Sequence, residues 1–375
     1  MHALEKRLAA VFFLSAAALS LLGVAFVHSA GSYWGEIHYG DSLPFAAKQG
    51  IYLAVSAAAA VFILKSRSIG NKKLWTAVYI AAVLLLAAVL VPGIGAVRNG
   101  SQSWIALGPF SLQPAEFAKI AVIGKLSSML AENRGRKVFR PGHFVVILLP
   151  AALIMLQPDF GSMMIMVTAA FAVLLVGGYP LKFFFGLAGA GAAGIAGLIA
   201  VAPYRMDRIK AYLDPWSDPL GTGFQAIQSL LATGPAGLTG FGYGQSRQKF
   251  LYLPEPQNDF IFAIIAEETG FIGAVFVIGL FFLMAASAIG LAARQREPLS
   301  FYMISGMAAM LGFQSFLNIG VVSGLLPVTG VTLPFISYGG SSLLAAWIAA
   351  ALILRFATGA GEVKRRPGDG QSNRY

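Results

Sequence analysis

The chain has 375 residues, of which 57% are hydrophobic and only 11% are charged. A soluble domain has about 25% charged residues, so this composition excludes a soluble protein and predicts a membrane-embedded one. The net charge of +11 comes from short basic clusters between apolar runs, so we expect no nucleic-acid partner. The absence of cysteine excludes disulfides, thiolate nucleophiles and zinc–thiolate sites.

Apolar runs of about 20 residues recur along the chain, and each is long enough to cross a hydrocarbon core of about 30 Å as a helix. The sequence therefore predicts an all-α, polytopic membrane protein with about ten transmembrane helices. The first run is longer than the apolar region of a cleaved signal peptide, so we expect it to be retained. The predicted spans are 8–28, 46–64, 74–92, 116–131, 143–157, 162–179, 181–202, 260–290, 300–327 and 341–357.

The distribution of basic residues predicts the topology. An even number of spans places both termini on one side, and positive residues are concentrated in the segments on that side, so we expect both termini in the cytoplasm. Residues 1–358 would form one transmembrane domain, followed by a flexible basic cytoplasmic tail over 359–375. Two loops then face outwards, 93–115 and a large one over 203–258, which includes a helical segment at residues 225–232. Loops this long are usually functional or disordered, and the aromatic residues here favour function.

The seventh span is rich in glycine and alanine between residues 186 and 197. Small residues permit close packing of transmembrane helices, which is the simpler interpretation. The alternative is a weakened helix that moves when substrate enters.

Ionisable residues within or beside membrane spans are costly and are therefore candidates for function. Glu116 and Lys119, three residues apart at a helix start, are close enough to pair, either for function or as an internal salt bridge. Asp259 lies at the outer mouth of the eighth span, where partial desolvation would raise its pKa and make it a suitable base. The alternative is that Asp259 caps the helix.

Three cations near the outer interface form a further candidate group: Arg205, Arg208 and Lys210. Their spacing suits a pyrophosphate, which arginine binds through paired hydrogen bonds and lysine as a point charge. Contact with anionic lipid headgroups is the alternative. Farther along, glycines and prolines interrupt the apolar sequence between residues 318 and 342. Irregular backbone at membrane depth survives only when it is buried in protein or lines a wet cavity, so we expect this segment in a cavity wall.

This last segment carries a specific motif: Asn318, five residues, Gly324-Leu-Leu-Pro-Val-Thr-Gly330, then Phe335-Ile-Ser-Tyr-Gly-Gly-Ser-Ser342. It resembles the SEDS family (shape, elongation, division and sporulation). Residues 108–119, 213–221 and 244–270 agree with the same family. The residues just before Asp259 are more similar to the FtsW and SpoVE branch than to RodA. One departure is Gln102-Ser103-Trp104, where many members have arginine before the tryptophan.

The resemblance implies a ten-helix peptidoglycan glycosyltransferase of the bacterial cytoplasmic membrane. Such an enzyme polymerises lipid II at the outer face and works with a class B penicillin-binding protein. The essential aspartate of the family falls on Asp259, and its Gln-Pro-x-Glu-x-x-Lys motif falls on Glu116 and Lys119. The arginine before the long-loop Asp-Pro motif falls on Arg208, and Ser337 is a further candidate for substrate binding.

The mechanism that we expect uses Asp259 to accept the proton of the incoming sugar hydroxyl, while cations stabilise the charge on the departing pyrophosphate. Arg205, Arg208 and Lys119 would supply that charge, and Glu116 would position Lys119. Direct displacement inverts the anomeric centre. Mg²⁺ or Mn²⁺ would suit the same role, although the sequence contains no dedicated set of metal ligands.

Two other functions fit the residues. A lipid II flippase or transporter would use the embedded charges and the glycine-rich helix as a translocation path. A non-catalytic scaffold of the cell-wall machinery would use them to bind partner helices. The resemblance favours the enzyme.

Overall fold

The computed structural model describes residues 3–98, 100–108, 110–132, 140–186, 189, 211–250 and 252–359. This part of the chain is mostly helical, as predicted, and contains one small sheet. The helices are α1 (Ala3–Tyr39), α2 (Pro44–Lys65), α3 (Lys72–Val89), α4 (Pro114–Glu132), α5 (Pro141–Leu156), α6 (Phe160–Val176), α7 (Phe224–Thr233), α8 (Ile261–Ala292), α9 (Pro298–Val322) and α10 (Gly340–Ala357). The strands are β1 (Gly95–Arg98), β2 (Ser101–Leu107) and β3 (Phe110–Leu112).

The helices overlap the predicted spans, and the largest difference is at α1, which continues to Tyr39 where the prediction ended at residue 28. Six of them, α1, α2, α3, α8, α9 and α10, are long and apolar enough to cross a membrane, and α5 and α6 are shorter apolar helices. Together with α4, they correspond to nine of the ten predicted spans. Most of the seventh span lies outside the described residues, as do residues 360–375 of the predicted tail. The chain is therefore a polytopic membrane protein.

Helices α9 and α10 form the centre of the bundle. In their most apolar stretches, 67% of the residues of α9 and 72% of those of α10 are buried, compared with 17% for α2 and 22% for α3, which lie at the periphery of the bundle. Helix α4 packs against α3, α6 and α9 and buries most of its side chains. Because α4 and α9 both carry polar side chains into this centre, their contacts determine the geometry of the site.

The loop between α3 and α4 folds into an antiparallel sheet in the order β1-β2-β3, which the sequence did not predict. Side chains of β2 attach this sheet to the ends of two helices. Gln102 Nε2 donates to the Val89 carbonyl of α3 at 3.0 Å, and Ser101 Oγ donates to the Gln157 carbonyl that follows α5 at 2.5 Å. The sheet is therefore attached to the ends of α3 and α5 by side-chain hydrogen bonds.

The described part of the large loop packs on the bundle. Helix α7 confirms the helical segment predicted there, and it contacts α8 and α9. Ser229 Oγ donates to the Val322 carbonyl at the end of α9 at 2.7 Å. The large loop is thus attached to the bundle through α7, in the middle of the loop, as well as at its end, where it joins α8.

Helix α8 is broken at Gly270, which has φ 67° and ψ −165°. Loop residues supply the missing partners: the backbone N–H groups of residues 241 and 242 donate to the carbonyls of Glu267 and Glu268, and those of residues 271 and 272 donate to the carbonyls of residues 237 and 238. A Cβ on Gly240 would lie 2.4 Å from the Glu268 backbone, and one on Gly270 would lie 2.3 Å from the Gly240 nitrogen. This close backbone approach requires glycine at both positions.

Candidate functional site

Asp259 lies in a turn that leads into α8. The turn opens at Glu255, which has φ 43°, and Asn258 closes it, since its backbone N–H donates to the Glu255 carbonyl at 3.0 Å. Asn258 Nδ2 also donates to Glu255 Oε2 at 2.6 Å. Helix α8 begins at Ile261, and the residue at its N-cap position is Phe260, without a side-chain cap. Asp259 therefore does not cap the helix, and that alternative is wrong.

Asn318 of α9 holds the backbone of Asp259. Its Nδ2 group donates to the Asp259 carbonyl at 2.6 Å and to the Val331 carbonyl at 2.7 Å. Both amide hydrogens are used, so the orientation of the amide is fixed. Asn318 is only 1% exposed. It joins the turn before α8, helix α9 and the irregular segment between α9 and α10 at one point.

Several buried oxygen atoms near Asp259 have no hydrogen-bond partner among the described residues. A Cβ on Gly330 would lie 3.8 Å from Asp259 Oδ2, so the neighbouring segment passes beside the carboxylate. A buried acceptor without a partner costs about 1–3 kcal/mol, which is typical of a site that a donor-rich ligand or water completes. The oxygens are Gln257 Oε1, Asn258 Oδ1, Asn318 Oδ1 and Thr329 Oγ1.

The environment of Asp259 makes it a good base. Burial raises the pKa of its carboxyl to about 6, the Glu255 carboxylate acts in the same direction, and the bond from its own backbone N–H acts against them. This confirms the raised pKa expected from the sequence. A carboxylate with a pKa close to the working pH is suited to accept a proton in a reaction.

The segment between α9 and α10 contains a turn that is stabilised by side-chain and backbone hydrogen bonds. Ser337 Oγ accepts a hydrogen bond from the Leu333 N–H at 2.8 Å, and the Ser337 carbonyl accepts one from Gln49 Nε2 at 3.1 Å. The next residue, Tyr338, donates its N–H to the Gln257 carbonyl at 2.9 Å. Ser337 thus stabilises a turn that contacts the Asp259 loop, and its predicted contact with substrate stays a prediction.

Glu116 and Lys119 form the ion pair that their spacing predicted. Lys119 Nζ donates to Glu116 Oε1 at 2.8 Å and to Gln314 Oε1 of α9 at 2.9 Å. Gln314 Nε2 donates to the Thr332 carbonyl at 3.1 Å, and Thr332 Oγ1 lies 2.7 Å from Ser342 Oγ. Lys119 is 0% exposed. The pair therefore belongs to a buried network that joins α4, α9 and α10.

This network is connected to Asp259 through α9. Gln314 and Asn318 are one helical turn apart, and they bind the carbonyls of adjacent residues, Thr332 and Val331. A shift of α4 against α9 would therefore disturb the position of the Asp259 turn. Buried ion pairs contribute little net stability, but removing one partner of such a pair is strongly destabilising.

Sequence reasoning missed Asp159, which caps α6 close to the same segment. Its Oδ1 accepts from the Ser162 N–H, and its Oδ2 accepts from Gln113 Nε2, each at 3.0 Å. Gly161 lies in the first turn of α6, where a Cβ would be 3.0 Å from the Thr329 carbonyl. Residues 329–331 therefore lie between α6 on one side and Asp259 on the other. An Asp followed three residues later by Ser at a helix start was the available signal.

Two buried carboxylates of α8, Glu267 and Glu268, were not among the candidate site residues predicted from the sequence. Glu267 accepts from Ser246 Oγ at 2.5 Å and from the Arg247 N–H at 2.9 Å. Glu268 Oε1 accepts from Ser29 Oγ of α1 at 2.5 Å and from the Ser246 N–H at 3.2 Å. These bonds fix the end of the large loop to α1 and α8, so both glutamates position the segment that leads to Asp259.

Three of the predicted substrate-binding residues, Arg205, Arg208 and Lys210, lie outside the described residues. The structure shows what the side chains of Gln102 and Ser103 bind. Gln102 binds the end of α3, and Ser103 Oγ lies 2.7 Å from Ser101 Oγ. Gln102 thus attaches the sheet to α3 directly, whereas Ser103 contacts Ser101, whose hydroxyl donates to the Gln157 carbonyl.

The described residues contain no group of three or more His, Cys, Asp or Glu side chains placed to hold a metal ion. The Glu255 carboxylate is close enough to Asp259 for its charge to raise the pKa of the Asp259 carboxyl. Mg²⁺ is often held by one or two carboxylates together with substrate phosphates. Mg²⁺ or Mn²⁺ binding thus stays a prediction that requires a bound pyrophosphate, and unchanged activity in EDTA would reject it.

These features define a polytopic membrane protein whose candidate site is a half-buried carboxylate at one end of its bundle. Comparison with known proteins gives its family. Residues 9–361 match the FtsW/RodA/SpoVE family of cell cycle proteins, so the chain belongs to this family, as the resemblance predicted.

Relatives along nearly the full length support the predicted branch. The chain is 43% identical to stage V sporulation protein E of Bacillus subtilis over 347 residues, covering 90% of this chain and 93% of the relative. It is 40% identical to a probable peptidoglycan glycosyltransferase FtsW of Saccharophagus degradans over 358 residues, covering 93% and 92%. This agreement places the chain with the FtsW and SpoVE branch.

Two solved structures share the fold. A chain of a peptidoglycan synthase complex that coordinates polymerization and crosslinking aligns with a TM-score of 0.75 at 32% identity, covering 93% of this chain and 97% of the other. The rod shape determining protein RodA of Thermus thermophilus aligns with a TM-score of 0.68 at 29% identity, covering 94% and 97%.

Proposed function

We infer that this chain is a peptidoglycan glycosyltransferase, and we propose that it polymerises lipid II with Asp259 as the base. The observation that carries the proposal is the Asp259 carboxyl, which has a pKa of about 6 and lies beside buried acceptors without partners. Sugars carry many hydroxyl donors, so a saccharide would complete these acceptors. Relatives named as probable peptidoglycan glycosyltransferases support the reaction class.

The proposed reaction is a single displacement. The oxygen of the acceptor hydroxyl forms a bond to C1 of the donor sugar, its proton passes to Asp259, and the bond from C1 to the pyrophosphate oxygen breaks. The leaving group, undecaprenyl pyrophosphate, departs as a stabilised anion, so no acid is required to protonate it. Attack from the opposite face inverts the anomeric centre. A retained anomer in the product would exclude this mechanism.

Charge on the pyrophosphate requires cations. We propose that Arg205, Arg208 and Lys210 bind it, because their spacing suits phosphate oxygens. Lys119 contributes differently from the sequence-based expectation. Its ammonium group is buried and bound to Glu116 and Gln314, so direct binding of substrate would require this network to open. We therefore propose that Glu116 and Lys119 position α9, and through Asn318 the Asp259 turn.

The proposed setting is the bacterial cytoplasmic membrane, with both termini in the cytoplasm and Asp259 at the outer face. The proposed partner is a class B penicillin-binding protein, which would crosslink the strands that this chain makes. The structural similarity to a chain of a peptidoglycan synthase complex supports a partnership of this kind.

The test is strand synthesis from lipid II by the purified protein, with and without a transpeptidase-only partner. Wild type and Asp41→Asn, a change of an exposed carboxylate, should make strands, whereas correctly folded Asp259→Asn should make none. Wild-type protein that moves lipid II between leaflets without strand synthesis would instead identify a flippase. Unchanged synthesis by Asp259→Asn would reject Asp259 as the base.

A further inference from the structure

An apolar groove runs between α1, α2 and α10, away from the Asp259 site. Its cavity has a volume of about 150 Å³. The one polar group of its lining, the Trp347 indole N–H, is engaged, since it donates to Ser20 Oγ at 3.1 Å. The side chains that matter for the argument are Phe13, Ala57, Val61, Leu64, Trp347 and Leu354.

The size of the groove indicates a single hydrocarbon chain. A dry cavity of about 150 Å³ holds a molecule the size of benzene, so this one accommodates about six carbon atoms of a chain. The lining residues of α2 and of α10 each extend over eight positions, 57–64 and 347–354, which corresponds to about 10 Å along a helix. A transmembrane helix of a partner, about 10–12 Å in diameter, is too wide to enter.

The same end of both helices carries positive charge. Leu64 of α2 is followed by Lys65, and Leu354 of α10 is followed by Arg355. Arg355 Nε donates to the Ser66 carbonyl at 3.1 Å, which brings the two helix ends together. Lys65 is exposed, and so is the nearby Arg67.

Lys65, Arg67 and Arg355 form no ion pair with an acidic side chain of the described residues. Among the described residues, the two ion pairs are Glu116–Lys119 and Lys72–Glu132, and neither involves the groove. An apolar groove that holds one hydrocarbon chain, beside cations that form no ion pair, is complementary to a molecule with an acyl chain and an anionic headgroup.

We propose that the groove is a binding site for an anionic glycerophospholipid. One acyl chain lies between α2 and α10, and the phosphate contacts Arg355, Lys65 and Arg67 by charge-assisted hydrogen bonds. Arg355 is thirteen residues from Ser342, which belongs to the network near Asp259, so the two sites are about 20 Å apart along α10. The headgroup would therefore lie in the leaflet opposite to the reaction, on the predicted cytoplasmic side.

Headgroup selection is tested by native mass spectrometry of delipidated protein titrated with phosphatidylglycerol or with phosphatidylcholine of the same acyl chains. We expect wild type to retain phosphatidylglycerol preferentially. Each cation near an anionic lipid contributes about a five-fold factor, so Lys65→Gln with Arg355→Gln should weaken phosphatidylglycerol binding about 25-fold. The matched control is Lys73→Gln with Arg294→Gln, which removes two exposed cations away from the groove and should leave binding unchanged.

Occupation of the groove itself is tested with two alanines on α2. Ala57 lines the groove, whereas the adjacent Ala58 is exposed outside it. Ala57→Leu fills the space for the chain and should reduce retention of both lipids at least ten-fold, and Ala58→Leu should not. Thermal unfolding of each variant verifies folding. Equal retention of the two lipids by wild type, or unchanged retention by Ala57→Leu, would overturn the proposal.

Discussion

Replacing Asp259 with asparagine is expected to stabilise the fold while it removes the proposed base. The folded protein raises the pKa of this carboxyl from 3.8 to about 6. One pKa unit corresponds to about 1.4 kcal/mol, so an ionised Asp259 costs the folded state about 3 kcal/mol at most. This value is an upper limit because part of the side chain remains exposed to solvent.

The sign of the effect gives its pH dependence. Because the pKa is higher in the folded state, folding favours the protonated carboxyl, and its contribution to stability is complete below about pH 4. The contribution is lost as the pH rises through about 6. We therefore expect thermal unfolding of wild type in detergent to shift to lower temperature over this interval, and Asp259→Asn to lack that component of the shift.

Asp159→Asn is the matched control. The Asp159 carboxylate accepts two hydrogen bonds, from Gln113 Nε2 and the Ser162 N–H. In asparagine an NH2 group replaces one of the two acceptor oxygens and cannot accept a hydrogen bond, so this variant should be destabilised by about 1–2 kcal/mol. If Asp259→Asn were destabilised as much as Asp159→Asn at about pH 8, the reasoning about desolvation would be refuted.

Three other predictions concern catalysis and the buried network. The rate of strand synthesis should rise with pH around a midpoint of about 6, and a rate that is flat across this range would argue against Asp259 as the base. Lys119→Met should lower the free energy of unfolding by about 3–5 kcal/mol because it leaves Glu116 buried without a partner, and adding Glu116→Gln should restore much of it. Thermal unfolding measures both, and a double variant no more stable than the single one would contradict this account. Asn318→Ala should lower the rate and cost about 1–3 kcal/mol through two lost hydrogen bonds. Ser315→Ala, which loses one bond within α9, is its control, and equal loss of rate in both would reject positioning by Asn318.

The sequence predicted most features that depend on local spacing. Lipid requires long apolar helices, so the spans could be located from hydrophobicity alone. The Glu116–Lys119 pair and helix α7 were likewise predictable, because residues three or four apart share a helix face. The raised pKa of Asp259 followed from its place at the boundary between polar and apolar sequence.

Features formed by distant residues were not predictable in this way. Asn318 and Asp259 are 59 positions apart, and no spacing rule connects them. Glu267 and Glu268 gave only the signal of two embedded carboxylates, and the serines that bind them come from α1 and the large loop. The strands of the sheet were not predicted because they are only three to seven residues long, and so short a segment shows too little alternation of apolar and polar residues to be assigned as a strand.

The backbone pairing at Gly270 has a mechanical consequence for α8. A helix interrupted by glycine would ordinarily bend freely at the interruption. Here residues 237–242 form backbone hydrogen bonds to the helix on both sides of Gly270 and restrict that bending. The stiffness of this joint is therefore determined by the large loop and not by the helix. Binding of a molecule to the large loop would therefore change how easily α8 bends at Gly270. The Asp259 turn directly precedes the shorter part of this helix, residues 261–270.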